Sequence, residues 1–182
     1  ISAMHAQTAT GIVNVYFKVT DFVPAYNGVR VQNITGLATG DRVMLIQMKG
    51  ASINETNTSS FGNISSIGNA GKYEFATICS FLNDTVVFER ELINTNDYTQ
   101  AVQLIYVPQY TDVTINGTLL AKEWDPVDGT GGVIAIEASG TITMNAAISA
   151  DSAGYKGGLL FNNSVSSRCG SVSGYYFSTA QS

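Results

Sequence analysis

Apolar and polar positions alternate with a period of two over much of the first hundred residues, the signature of strands that bury one face. In "GIVNVYFKV" (11–19), Val13, Val15, Phe17 and Val19 fall on one side, while Asn14, Tyr16 and Lys18 fall on the other. "GVRVQNI" follows the turn dipeptide Asn27-Gly28, a hairpin signal. "RVMLIQM" (42–48) is apolar on both faces, as expected of a strand covered on both sides. "GKYEFATIC", "TVVFERELI" and "AVQLIYV" supply three further strands. No stretch carries a convincing helical period, so the first part of the chain predicts a small antiparallel barrel or sandwich. Between Gly50 and Ala70 the alternation loosens into a long polar connection around one short strand, "FGNISSI", the kind of loop in which binding function is often placed.

After Pro108 the texture changes. "VTINGTLLA" (113–121) can be laid over "IEASGTITM" (136–144), with Gly117 over Gly140, Thr118 over Thr141 and Leu119 over Ile142. That 23-residue offset suits one rung of a β-solenoid, with glycine at the corners. The fold class expected is therefore all-β. A small antiparallel β-barrel or sandwich (11–110) is followed by a β-solenoid-like, or second sandwich-like, glycine-rich segment (111–158). Residues 1–10 read as a signal-peptide remnant, a tag or a disordered stretch, with a peptidase cleavage point after Ala6. Residues 159–182 read as a glycine-, serine- and tyrosine-rich extension that continues into a longer protein.

Composition narrows the function classes. The net charge is −5 and only 13% of residues are charged. Lys and Arg are dispersed, so nothing tracks a nucleic-acid backbone. "VMLIQM" is far too short to cross a bilayer, which takes about 18 apolar residues or more, so no membrane span is expected. The sole histidine, His5, lies near the start of the chain, and no nucleophile elbow, phosphate loop or dinucleotide fingerprint occurs.

Carboxylates and aromatic residues remain. Asp125 and Asp128 in "EWDPVDGTGG" are candidate calcium ligands, or with Glu123 a candidate glycosidase pair. They also suit a plain turn, because Pro126 fixes φ and Asp128-Gly129 is a turn dipeptide. Asp41 in "TGD" reads as a turn residue. Trp124, Tyr175 and Tyr176 are candidate binding residues, with Phe177 beside them. An exposed ring stacks on a sugar or on a protein surface, and a buried one caps a core. Cys79 and Cys169 match no metal spacing. If the protein is exported they are candidates for a disulfide pair, or Cys169 is a candidate for pairing with a residue beyond the C-terminus. The alternative is that Cys79 is a core residue continuing the alternation of its strand. No cofactor is expected other than calcium.

The segments "GDRVMLIQMKGA", "GNAGKYEFATIC", "VQLIYVPQYTDVTINGTL" and "GGVIAIEASGTITMNAAISADSAGYKGG" resemble, in the same order, the N-terminal region of very large Bacteroidetes surface proteins. These adhesin-like, gliding-motility-associated proteins often carry a type IX secretion signal. The resemblance runs from about Val29 to Gly158. It implies export, a secreted or cell-surface location and a part in adhesion, and it brings no catalytic residues. It also draws attention to "DTV" and "DSA", whose Thr85 and Ser152 fit an O-glycosylation pattern. The expected function is a non-enzymatic β scaffold in a surface adhesin or extracellular filament, with polysaccharide, protein or copies of itself as partner. The alternatives are a carbohydrate-active solenoid using acidic residues, and a self-assembling subunit that uses exposed strand edges.

Overall fold

A computed structural model describes residues 7–56, 58–94 and 96–155. Among the described residues, fourteen strands lie in four sheets and the one helical element is a single 3-10 turn at Pro24–Tyr26. None of these elements is a helix long and apolar enough to cross a membrane.

Six strands close a barrel: β2 (Val15–Val23), β3 (Gly28–Val31), β4 (Arg42–Gln47), β7 (Tyr73–Leu82), β8 (Thr85–Phe88) and β9 (Val102–Tyr106). Around the barrel they run β2-β3-β8-β7-β4-β9 and back to β2, each pair antiparallel. Closure leaves no free long edge, which is how small β proteins avoid edge-to-edge association. Register shifts at Val19/Asp21 and Ile78/Ser80 bend β2 and β7 into the ring. Inside, Phe17, Val19, Val29, Val31, Val43, Leu45, Ile78 and Leu104 are among the buried core residues. The polar connection after β4 folds back on itself as a two-stranded hairpin, β5 (Ser52–Ile53) with β6 (Ile64–Ser66).

The solenoid begins before the barrel. β1 (Gln7–Gly11) pairs in parallel with β11 (Val113–Leu120), Gln7 opposite Val113. β11 in turn pairs in parallel with β13 (Ile142–Met144) and β14 (Ile148–Ser149), while β10 (Gln109–Tyr110) lies parallel to β12 (Glu137–Ala138). The barrel is thus inserted between the first and second rungs. The disordered reading of residues 1–10 does not hold for Gln7 to Thr10, and Gln109 and Tyr110 belong to the solenoid.

The rung is also longer than the 23 residues read from the sequence. Val113 stacks on Ile142, Ile115 on Met144 and Leu119 on Ile148, an offset of 142 − 113 = 29. An Asn pair marks the same step, with Asn145 Nδ2 donating to Asn116 Oδ1 at 3.0 Å. Ala9, Val113, Ile115 and Leu119 form the buried column. The next residues along it, Ile142, Met144 and Ile148, are 41%, 52% and 45% exposed at the last described rung.

Candidate functional site

The barrel is fixed to the solenoid along one seam. The outer faces of β2, β4 and β9 contribute Tyr16, Met44, Ile46 and Ile105, which pack with Val107 on Val133 and Ala135. Two amides lock this contact. Asn14, 5% exposed, donates to Tyr106 O (2.9 Å) and Ala135 O (2.6 Å) and accepts from Ala135 N (3.0 Å). Gln103 is fully buried on β9. Its Nε2 donates to Gly131 O at 3.0 Å, and its Oε1 accepts from Gly131 N at 2.8 Å. The Tyr16 hydroxyl donates to Val133 O and accepts from Lys122 N. Burial pushes its pKa up, partly offset by the Lys122 N–H. Asn14 sits just before β2 and Gln103 shares its face of β9 with Ile105, so each is a polar side chain in an otherwise buried contact, where polarity alone predicts water. Their partners are the main chain of a segment 28 and 121 residues away, which no local pattern reveals.

The candidates named from sequence part company here. Trp124 is 5% exposed, not an open platform. Its main-chain N–H donates to Ala153 O at 2.9 Å and its indole meets the Tyr155 ring at 4.4 Å between centroids, so it caps the rung core. Tyr155 remains 48% exposed. Asp125 and Asp128 form a turn. Asp125 Oδ1 accepts from Val127 N (2.9 Å) and Asp128 N (3.3 Å), and Asp125 O accepts from Gly129 N (2.8 Å). No three His, Cys, Asp or Glu residues converge as a metal site among the described residues. Replacing Asp125 by alanine is expected to lower stability by about 1 kcal/mol through these lost turn bonds. The thermal midpoint of the parent chain should be the same in calcium and in chelator, read by circular dichroism.

Asp41 is a turn residue, its Oδ2 accepting from Ala38 N at 2.7 Å. Cys79 is exposed rather than in the core. Along β7 it is Ala76 and Ile78 that point inward, while Tyr73, Phe75 and Cys79 point out. Thr85 is buried at 4% exposure in the barrel wall, leaving a glycan no room on the folded chain, whereas Ser152 is exposed. Cys169, Tyr175, Tyr176, Phe177 and His5 lie outside the described residues.

A different cluster gathers on the far side of β7, where no motif pointed. Arg42 is held by three contacts. Its guanidinium carbon lies 5.4 Å from the Phe75 ring centroid, Nη1 donates to Thr77 Oγ1 at 3.4 Å, and Nε stands 3.3 Å from Glu137 Oε2 as an ion pair without hydrogen-bond alignment. Tyr73 packs edge-on to Phe75 at 5.9 Å, and the two rings are 57% and 43% exposed. Beside them a recess of about 330 Å³ runs between β7 and residues 89–92.

Tyr98, stacked on Phe22 at 5.9 Å, and Tyr155 are both pushed up to about 12, chiefly by burial. A folded-state pKa above the ordinary 10 stabilises the fold fully below 10, and that stability is lost as pH rises from about 10 through 12. Denaturant midpoints are therefore expected to be level from neutral pH to about 10 and to fall beyond it.

No protein-family profile matches the chain, and no curated protein matches it. Two solved structures are similar to it. One is the tailspike of Acinetobacter baumannii bacteriophage AP22, in complex with A. baumannii capsular saccharide. It is 10% identical with a TM-score of 0.39, over 79% of this chain and 25% of that one. The other is the tailspike protein of Pseudomonas phage LKA1, 15% identical with a TM-score of 0.33, over 66% of this chain and 21% of that one. The chain spans about a quarter or less of either tailspike.

Proposed function

We propose that this chain is a non-enzymatic β scaffold module of a secreted or cell-surface protein, of the Bacteroidetes adhesin kind its motifs resemble, and that its partner is a polysaccharide. The observation that carries this reading is the seam. A closed barrel is inserted into a solenoid and locked to it by the buried amides of Asn14 and Gln103. A covalent insertion already keeps two units together. Buried polar locks add a defined orientation, since each amide is satisfied in one relative placement of barrel and rung. A presenting module needs that property. Catalysis would instead call for acid and base groups set against one another, and Asp125 is committed to a turn. Retention of the purified chain on immobilised surface polysaccharide, with the polymer's length unchanged after incubation, would support the proposal. Shortening of the polymer would favour the carbohydrate-active alternative, and a purely cytoplasmic location in fractionated cells would overturn the reading.

The exposed row Ile142, Met144 and Ile148 favours a second reading, a subunit that stacks end to end with copies of itself. Sedimentation of a monomeric mass at high concentration would dispose of it.

A further inference from the structure

The recess beside β7 arises from a gap in strand pairing. β7 is paired with β4 on one edge from Tyr73 to Thr77, but on its other edge β8 begins pairing only at Ile78. The chain leaving β8 makes one more contact, Glu89 N to Thr77 O at 3.0 Å, and then bows away. It returns at Ile93 and Asn94, whose N–H groups donate to the Glu74 carboxylate at 2.8 and 3.1 Å, while Asn94 Nδ2 donates to Tyr73 O at 3.1 Å. The detour through Arg90, Glu91 and Leu92 therefore skips one outward-bonding residue of β7, Phe75.

Strand geometry fixes which way that residue's main chain points. Gln47 N bonds Lys72 O and Ile78 N bonds Asp41 O, so the even-numbered residues of β7 direct their main-chain groups at β4. Those of Phe75 then face the gap. Among the described residues no hydrogen bond reaches them there, and the side chains of Glu89, Arg90 and Glu91 carry no ion pair. Arg42, Phe75, Thr77, Glu89, Arg90 and Glu91 line the space.

We propose that this recess is a subsite for an uncharged, hydroxyl-rich saccharide unit; this deepens the polysaccharide reading above and rests on it. Sugar hydroxyls donate and accept at once. The lining matches them with the Phe75 N–H and the Arg90 guanidinium as donors, and with the Phe75 carbonyl and the Glu89 and Glu91 carboxylates as acceptors. The exposed rings of Phe75 and Tyr73 beside it suit the C–H face of a pyranose. A volume of about 330 Å³ sits at the small end of ligand pockets, about 300–1,000 Å³. Other ligand classes fit worse. Two unpaired carboxylates repel a phosphate or uronate, and Arg42 already faces Glu137. A metal ion meets guanidinium groups. A peptide adding as a strand needs a run of free main-chain groups, and the gap offers one residue.

The test is titration of the full chain with neutral hexose oligosaccharides and with uronate oligosaccharides of equal length, followed by NMR and calorimetry. Arg90→Ala, Glu91→Ala and Phe75→Ala variants are carried in parallel. The proposal expects neutral oligosaccharides to bind and uronates to bind more weakly. Glu91→Ala should weaken binding at least tenfold with the unfolding midpoint unchanged, because that side chain has no hydrogen-bond or ion-pair partner among the described residues. Equal binding by all three variants, or tighter binding of uronates, overturns the recess while leaving a polysaccharide role elsewhere on the surface. Failure of the chain to bind any intact polysaccharide overturns that role and the recess together.

Discussion

Gln103→Ala is expected to lower the unfolding free energy by about 3 kcal/mol, seen as a lower denaturant midpoint at an unchanged slope. The side chain is fully buried and makes two hydrogen bonds to one residue, Gly131. Alanine leaves the Gly131 N–H and C=O without partners in a buried seam, and each such group costs about 1–3 kcal/mol. A small void is added where the amide was. Partial relaxation keeps the sum below the extreme. Gln103→Glu separates the polar loss from the packing loss. Its volume is the same, and one oxygen still accepts from Gly131 N, but the other confronts Gly131 O unless protonated. Its folded-state pKa is therefore raised, so the variant should approach the parent's stability in acid and lose it as pH rises through that value. A pH-independent loss would show that water reaches the seam.

The strands were most legible where burial is one-sided or complete. "RVMLIQM" gives β4, with Val43, Met44 and Leu45 all buried, because one face of the strand meets the barrel core and the other meets Val133 and Ala135. A core position for Cys79 requires the phase of β7 that carries Tyr73 and Phe75 to face inward, yet the interior takes Ala76 and Ile78 while Phe75 goes to the Arg42 side. Hydrophobicity alone does not choose between faces when both carry apolar residues. The 23-residue rung differs from the observed 29 for a similar reason. The shared Gly-Thr dipeptides align at 23, but the stacked positions are "VTIN" and "ITMN", with the Asn pair in register. β1 escaped notice because "QTATG" has hardly any apolar content of its own. Its order comes from Val113 and Ile115, more than a hundred residues on. The candidate site escaped too, since a gap in strand pairing at Phe75 depends on where residues 89–94 leave and rejoin β7.

Gly131→Ala is expected to cost about 4 kcal/mol, more than the loss of its Gln103 partner alone. Gly131 has φ +114, a conformation that L side chains rarely adopt, and a Cβ there would lie 2.5 Å from Glu123 O and 3.0 Å from Lys122 O. Both contacts are main chain, so the neighbouring turn has to move. Movement of Gly131 breaks the same two hydrogen bonds that Gln103 makes. The two substitutions are therefore coupled. In a Gln103→Ala background those bonds are already gone, and Gly131→Ala should cost about 1–2 kcal/mol less than it does in the parent chain. Strict additivity in this double-mutant cycle would mean that the glycine's seat is set by its own turn and that the barrel does not hold the solenoid through Gln103. A double mutant less destabilised than the sum of its parts is what a locked seam requires.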